Sequence, residues 1–359
     1  MINRRCSIFL LTVLMSMVGA KSFANDIEVA NADGVIIYYN IINNYELEVT
    51  FKGLFSTSYP EYSGNIVIPE SVNYQSMPYK VTTIGNEAFY ENNSLLSVTI
   101  PSSVKTIGAK AFGQCQNLTS LTLPNSVTSI GDLAFTGSGL REPLYNSSNF
   151  AYLPKSYEGA YDIPEGITSI APHAFYVCKA LTSITIPNSV TNIGKYAFYG
   201  CEIMTSLTIG TGLTTVGKYA FQNAGIKHID IDCKEIGDWF DQAPEIKDVT
   251  IGEHVQKIGK DAFYGRKKLT SVKIGSNVDS IGDNAFYGCK GLTSIDFPEK
   301  LTFIGTNTFY GCKGLTSIDF PEKLTVIGGY AFYGCSGLTS ITIPNSVSYC
   351  GWGAFQNCI

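Results

Sequence analysis

The amino-acid sequence predicts an α+β or mostly β repeat protein, in which short units wind into a coil and stack as a solenoid. Two observations carry this prediction. A phenylalanine recurs at steps of mostly 23 residues, at positions 89, 112, 135, 175, 198, 221, 263, 286, 309, 332 and 355. The sixteen residues YGCKGLTSIDFPEKLT occur twice, beginning at Tyr287 and again at Tyr310. Self-similarity at one fixed period is typical of stacked repeats.

Each repeat places apolar residues at the same positions relative to its phenylalanine. An Ile or Val stands five residues before it, and an L-x-x-I-x-I segment such as Leu181–Ile186 follows it. The alternation in that segment is typical of a strand, and a proline such as Pro187 ends it. One unit of this length cannot bury its apolar side chains, whereas stacked units can. With shortened repeats at Phe150 and Phe240, the sequence predicts about thirteen coils.

Two local features of the repeat lead to further expectations. A glycine stands four residues before nearly every repeat phenylalanine, which predicts a tight corner with positive φ. The short stretch just before the phenylalanine, such as Gly194 to Phe198, is predicted to form one helical turn on the outer side.

The pattern L-x-x-I-x-I-P-x-S-V-x-x-I-G-x-x-A-F-x-G-C resembles the 23-residue leucine-rich repeat of BspA-like bacterial surface proteins, over about 280 residues. The resemblance implies a leucine-rich-repeat solenoid with a parallel β-sheet on its concave face. Residues 25–78 resemble the region that precedes such repeats and are interpreted as a β-rich N-terminal cap. The solenoid is predicted over residues 79–359, with irregular coils near 136–163 and 222–244.

The N-terminus has the features of a secretory signal peptide over residues 1–24. Arg4 and Arg5 precede the apolar stretch Ile8–Ala20, and small residues favour cleavage near Ala24. A membrane anchor is the alternative, but the apolar stretch is short for a membrane span. Removing residues 1–24 takes away three of the 25 basic residues and none of the 30 acidic ones, which changes the formal net charge from −5 to −8. We therefore expect a protein that is secreted or at the bacterial cell surface. We expect no nucleic-acid partner and no integral membrane segment after signal removal.

The cysteines follow the repeat. Seven of them stand three residues after the phenylalanine, at positions 115, 178, 201, 289, 312, 335 and 358. Secretion favours disulfides and metal binding is a second alternative. In-register stacking, however, keeps equivalent Cβ atoms farther apart than a disulfide needs. The interpretation is therefore a column of small buried free thiols, and Cys350 is also predicted to be a core thiol.

No catalytic constellation is recognisable, so the protein is predicted not to be an enzyme and to use no cofactor or metal. The three histidines, His173, His228 and His254, stand in different repeats and lack a nucleophile at motif spacing. His173, just before Ala-Phe, is predicted to be exposed on the outer turn.

Residues that alternate with the apolar positions of the predicted strands should point to solvent and form polar columns across the sheet. The candidate ligand-binding residues on this surface are Thr185, Thr208, His228, Asp230, Asp232, Asp248, Thr250, Lys273, Asp296, Asp319 and Thr342. Their hydroxyls are equally consistent with a purely structural role. The resemblance implies adhesion to a protein ligand, such as a host extracellular-matrix or cell-surface protein. The alternative is a carbohydrate-binding component of a surface glycan-uptake system.

A second recurring column is aromatic. A tyrosine follows the repeat phenylalanine at positions 90, 176, 199, 264, 287, 310 and 333. Stacked rings that cover the outer wall are the simpler interpretation. An exposed tyrosine stripe that holds a glycan or a protein partner is the alternative.

Overall fold

A computed structural model describes residues 25–52 and 62–358. The predicted signal peptide lies outside the described residues. The described chain begins with β1 (Ile27–Ala30), β2 (Ile36–Asn43) and β3 (Glu46–Thr50), which pair in antiparallel order. A hairpin of β5 (Ser71–Tyr74) and β6 (Met77–Ile84) follows, and β6 pairs in parallel with β3. The N-terminal region is therefore β-rich, as predicted.

The L-x-x-I-x-I segments up to Lys273 form parallel strands, and the later segments contribute one isolated bridge, between Asp296 and Asp319. A first group contains β4 (Gly64–Val67), β7 (Leu95–Thr99) and β9 (Ser120–Thr122). A second group contains β13 (Gly159–Asp162), β15 (Leu181–Ile186), β17 (Ser206–Ile209), β19 (His228–Ile231), β21 (Asp248–Ile251) and β23 (Ser271–Lys273). Each strand pairs with its equivalent one coil away, so the repeats stack as the sequence predicts.

The residue five positions before each repeat phenylalanine, from Phe112 onward, lies in a second set of short strands. These strands pair in parallel from coil to coil within each of three separate sheets, apart from one antiparallel pair. The members of this second set are β8 (Thr106–Ile107), β10 (Ser129–Ile130), β11 (Leu144–Tyr145), β12 (Asn149–Tyr152), β14 (Ser169–Ile170), β16 (Asn192–Ile193), β18 (Thr215–Val216), β20 (Glu235–Ile236), β22 (Lys257–Ile258), β24 (Ser280–Ile281), β25 (Phe303–Ile304), β26 (Val326–Ile327) and β27 (Tyr349–Cys350). The antiparallel pairing of β11 with β12 interrupts this set in the irregular region after Phe135.

The core is organised around the repeat phenylalanines. Phe286 is fully buried, and its ring stacks on Phe263 at 5.4 Å and on Phe309 at 5.3 Å between ring centroids. Phe150 and Phe240 join the same column by stacking on Phe175 and Phe263. Both shortened coils therefore contribute a ring to the column.

The residues before each phenylalanine form a turn, and the described residues contain no helix. The prediction of a helical turn is wrong. The residue two positions before the phenylalanine has positive φ, for example 59° at His173 and 55° at Asn284. A right-handed helical turn requires negative φ at consecutive residues, so this residue prevents it.

The glycines four residues before the phenylalanine do not have positive φ, and that prediction is also wrong. They are needed because neighbouring coils approach each other closely. A Cβ atom on Gly282 would lie 2.8 Å from the carbonyl carbon of Gly259 and 2.8 Å from the amide nitrogen of Lys260. Both atoms are backbone, so a side chain at this position would push two coils apart.

The nine described cysteines are free thiols, and those of the repeat do more than fill space. The Cys312 thiol donates a hydrogen bond to the carbonyl oxygen of Phe286, one coil away, at 3.2 Å, and Cys201 does the same to Phe175 at 3.1 Å. Burial raises the pKa of the Cys178 and Cys289 thiols to about 12, so they remain protonated donors. The cysteine therefore satisfies a buried backbone carbonyl.

Other residues take the place of this cysteine where it is missing. Arg266, nearly fully buried, donates from Nη1 to the carbonyl oxygen of Phe240 at 2.7 Å. The prediction that Cys350 is a core thiol is wrong, because its side chain lies in β27 at the end of the sheet and is exposed.

Candidate functional site

The outward side chains of β15 to β23 form a continuous polar surface, which we call the sheet face. Parallel register aligns Thr185, Thr208, Asp230, Thr250 and Lys273 as partners on successive strands. The residues that alternate with them, such as Ile184 and Ile229, are buried. Alternation along each strand thus fixes which side chains reach solvent.

A second column lies beside the first on the same strands. His228 pairs with Asp248 across β19 and β21, and His228 Nδ1 lies 2.9 Å from Asp248 Oδ2. Both side chains are about half exposed. Two adjacent strands at the centre of the sheet face therefore carry the His228 imidazole, the carboxylates of Asp230 and Asp248, and the Thr250 hydroxyl. The Lys273 amine lies on the next strand.

The remaining predicted site residues lie farther along the chain. Asp296 and Asp319 form a parallel bridge between adjacent coils, and both side chains are exposed. Two like charges on neighbouring rungs repel each other. Thr342 is exposed in the last L-x-x-I-x-I segment but lies outside any strand.

Asp232 lies one residue beyond the end of β19, at the corner of the coil. Its Oδ1 accepts a hydrogen bond from the backbone N–H of His254 at 2.9 Å, and its Oδ2 lies 2.6 Å from His254 Nδ1. The Asp232 carboxylate is thus held by the next coil, whereas Asp230 points freely from the strand.

His173 differs from its sequence-based description. The prediction that it is exposed is wrong, because its ring packs 5.1 Å from Tyr196 and 5.3 Å from Tyr176 and only 9% of the residue is exposed. Burial lowers its pKa, while Asp132, whose Oδ1 lies 3.9 Å from Nδ1, opposes that shift. His173 is therefore part of the outer wall and away from the sheet face.

The tyrosines that follow the repeat phenylalanines form an outer column. The ring centroids of Tyr264, Tyr287, Tyr310 and Tyr333 lie 4.7–4.8 Å apart, with nearly parallel planes. Beside three of these rings runs a groove of about 400 Å³, which is also lined by Lys267, Lys290 and Lys313. Sequence reasoning singled out the tyrosines but missed the lysines, although each stands four residues after a repeat phenylalanine.

Among residues 25–52 and 62–358, no three His, Cys, Asp or Glu side chains are grouped so that they could hold a metal ion. The same residues include no helix with the length and apolar character of a membrane span.

The stacked coils, the parallel sheet and the inward leucines and isoleucines define a leucine-rich-repeat solenoid. The chain belongs to the family described as BspA type leucine rich repeat region, whose model matches in six copies over residues 68–159, 146–269 and 234–359. The resemblance found in the sequence is therefore confirmed. Members of this family are repeat scaffolds of the binding type.

Several solved structures are similar to this chain. A leucine-rich repeat protein from Bacteroides ovatus ATCC 8483 is 24% identical, with 88% of this chain and 98% of that chain covered and a TM-score of 0.47. A leucine rich cell surface protein from Faecalibacterium prausnitzii A2-165 is 24% identical, with 93% and 97% covered and a TM-score of 0.42. The pneumococcal vaccine antigen PcpA is 16% identical, with 94% and 87% covered and a TM-score of 0.39. No curated protein matches the chain.

Proposed function

We propose that this protein is exported to the bacterial surface and binds another protein, without catalysis, through the sheet face. The observation that carries the proposal is the register of that surface. Hydrogen-bonded strands hold His228, Asp230 and Thr250 on adjacent rungs of one rigid sheet. Such a surface is preorganised, so little conformational entropy is lost when a partner binds.

The threonine hydroxyls of the sheet face are available to a binding partner. Within the described residues, the side chains of Thr185, Thr208 and Thr250 form no hydrogen bond to a neighbouring rung. By contrast, corner threonines such as Thr214 donate to a backbone carbonyl of the preceding coil. This difference favours a binding role over the purely structural role that the sequence left open.

The charge of the sheet face indicates the chemistry of the partner. Asp230, Asp296 and Asp319 are exposed carboxylates, and Lys273 is the one amine in the same column from Thr185 to Asp319. A partner with a basic patch would complement this surface, and complementary charge mainly sets specificity and the rate of association. A basic region of a host extracellular-matrix or cell-surface protein meets this requirement.

The test is a binding screen of the purified protein against immobilised extracellular-matrix and cell-surface proteins. The triple variant Asp230→Lys/Asp296→Lys/Asp319→Lys should lose binding to any partner that the screen finds. The control Glu299→Lys/Glu322→Lys makes the same change of charge at two exposed corners, three residues after Asp296 and Asp319, and should bind normally. Unchanged binding by the triple variant would show that the sheet face is not the site.

A further inference from the structure

The outer tyrosine column carries a second surface that the sheet face does not explain. Three consecutive coils repeat the arrangement Tyr-Gly-x-Lys: Tyr264 to Lys267, Tyr287 to Lys290 and Tyr310 to Lys313. Together they line the groove of about 400 Å³ described above. We call this surface the Tyr–Lys groove.

The glycines keep the Tyr–Lys groove open. Gly265, Gly288 and Gly311 have φ of 72°, 68° and 70°, and a Cβ atom on Gly265 or Gly311 would meet nothing within 4 Å. Earlier coils place Gln114 and Val177 at this position with similar φ of 59° and 58°. The backbone conformation therefore does not require glycine in every coil, and in these three coils the missing side chains leave open space beside the tyrosines.

The lysines of the groove are not balanced by acids. None of Lys267, Lys290 and Lys313 forms an ion pair with a residue in the described part of the chain. Lys179 has the same position in an earlier coil, and there Glu202 of the next coil lies 3.5 Å from its Nζ atom. The three unpaired lysines stand on successive coils, in turns outside the strands, and concentrate positive charge on one surface of an otherwise acidic protein. We infer that this surface attracts an anionic ligand.

The spacing and the neighbouring residues restrict the ligand. The lysines recur once per coil, and the tyrosine rings beside them lie 4.8 Å apart between ring centroids. An extended peptide rises about 3.3–3.4 Å per residue and presents only every second side chain on one face, so its acidic groups fall out of register with the coils. One sugar of an extended polysaccharide has a length similar to one coil, so its acidic groups can meet successive lysines.

A second groove, of about 380 Å³, continues from Tyr310 and offers contacts that suit sugars. It is lined by Tyr330, Trp352, Asn307 and Gln356. Trp352 is 71% exposed, and its ring lies nearly perpendicular to that of Tyr330, with 5.0 Å between the ring centroids. A sugar chain needs both apolar and polar contacts. Exposed aromatic rings offer an apolar face, and side-chain amides can form hydrogen bonds with hydroxyl groups.

We propose that the Tyr–Lys groove binds a linear acidic polysaccharide, whose carboxylate or sulfate groups contact Lys267, Lys290 and Lys313. The site is separate from the sheet face. A protein of this kind would bind a protein partner with one surface and an acidic glycan with the other.

The test is calorimetric titration of the purified protein at physiological salt with an oligogalacturonate and with a chondroitin sulfate oligosaccharide, each long enough to span three coils. The first supplies carboxylates alone and the second also sulfates, so the two probes identify the acidic group. At least one of them should bind, and an uncharged maltodextrin should bind more weakly. The triple variant Lys267→Gln/Lys290→Gln/Lys313→Gln should lose at least about tenfold in affinity, as expected for three solvated charge contacts.

Controls separate this proposal from general electrostatics and from the proposed function. Lys179→Gln, which removes a paired lysine at the same repeat position, and the sheet-face variant Asp230→Lys/Asp296→Lys/Asp319→Lys should both retain polysaccharide binding. The proposal is overturned if neither acidic oligosaccharide binds, or if polyglutamate or oligo(dT) binds at least as tightly. It is also overturned if Lys179→Gln loses as much affinity as the triple variant.

Discussion

Replacing Phe286 by alanine tests whether the aromatic column holds the coils together. The ring is fully buried and stacks on rings of both neighbouring coils, Phe263 at 5.4 Å and Phe309 at 5.3 Å. Truncating a buried phenylalanine costs about 3–5 kcal/mol. Each stacked pair contributes about 0.5–1.5 kcal/mol beyond the buried area, so losing two of them places Phe286→Ala in the upper part of that range.

The surrounding backbone should prevent the cavity from closing. The Phe286 N–H donates to the carbonyl oxygen of Thr308 at 2.8 Å, and that carbonyl belongs to the next coil. Because such bonds fix the distance between coils, the neighbouring rings cannot move far into the space that alanine leaves. A cavity that cannot relax gives the larger loss of stability.

Urea denaturation followed by circular dichroism measures the effect, with Thr185→Ala as the control. Thr185 is exposed on the sheet face, so its truncation should cost well under about 1 kcal/mol. The slope of the transition should not change, which would show that both variants unfold the same structure. Equal losses at the two positions would refute the assignment of inward and outward residues.

Three further predictions concern other parts of the repeat. Arg266→Ala leaves the buried carbonyl of Phe240 without a donor and should lower the unfolding free energy by about 1–3 kcal/mol, whereas Arg266→Cys should restore part of the loss in the same denaturation assay. Gly282→Ala should lower the melting temperature strongly because its Cβ would meet backbone of the preceding coil; an unchanged melting temperature would contradict the close approach. Burial lowers the pKa of His173 in the folded protein, so at acidic pH the unfolded chain binds more protons than the folded one. The free energy of unfolding should therefore fall as the pH drops below about 6.5. His173→Asn, which other coils tolerate at this φ, should reduce that loss when denaturation at pH 7.5 and pH 5 is compared; the same loss in both proteins would contradict it.

The periodic part of the fold could be predicted from the sequence because the same side chains perform the same role in each coil. Spacing alone located the column of Phe263 and Phe286, and the alternation in Leu181–Ile186 located the strand and its outward side. The shortened coil at Phe240 could be predicted in the same way, because Phe240 stands 23 residues before Phe263, and its ring stacks on that of Phe221.

The contacts between coils could not be predicted, because they depend on distances that a single repeat does not contain. The glycine at position 282 is consistent with both positive φ and close approach, and only the position of the Gly259 backbone distinguishes them. The bond from the Cys312 thiol to Phe286 is likewise a contact between coils. His173 looked exposed because two tyrosines that cover it come from its own and the next coil.

The alignment of the sheet-face residues could be predicted from the repeat period, whereas the Tyr–Lys groove could not. Periodicity places Asp230 and Thr250 in one column, which the strand register shows as neighbours. The Tyr–Lys groove was missed because its lysines are ordinary surface residues in the sequence. Their significance lies in the absence of a paired acid such as Glu202, which pairs with Lys179.

The central claim is that equivalent residues lie over one another, one rung per repeat, and a distance measurement tests it most directly. In a Cys350→Ser/Cys358→Ser background, which removes the accessible native thiols, spin labels at Thr185→Cys and Lys273→Cys, four rungs apart on the sheet face, should give one narrow distance distribution. Labels at Thr185→Cys and Thr250→Cys should give a mean shorter by about one strand spacing, roughly 4.8 Å. Broad distributions, or equal distances for the two pairs, would contradict the stacked architecture and the binding surfaces built on it.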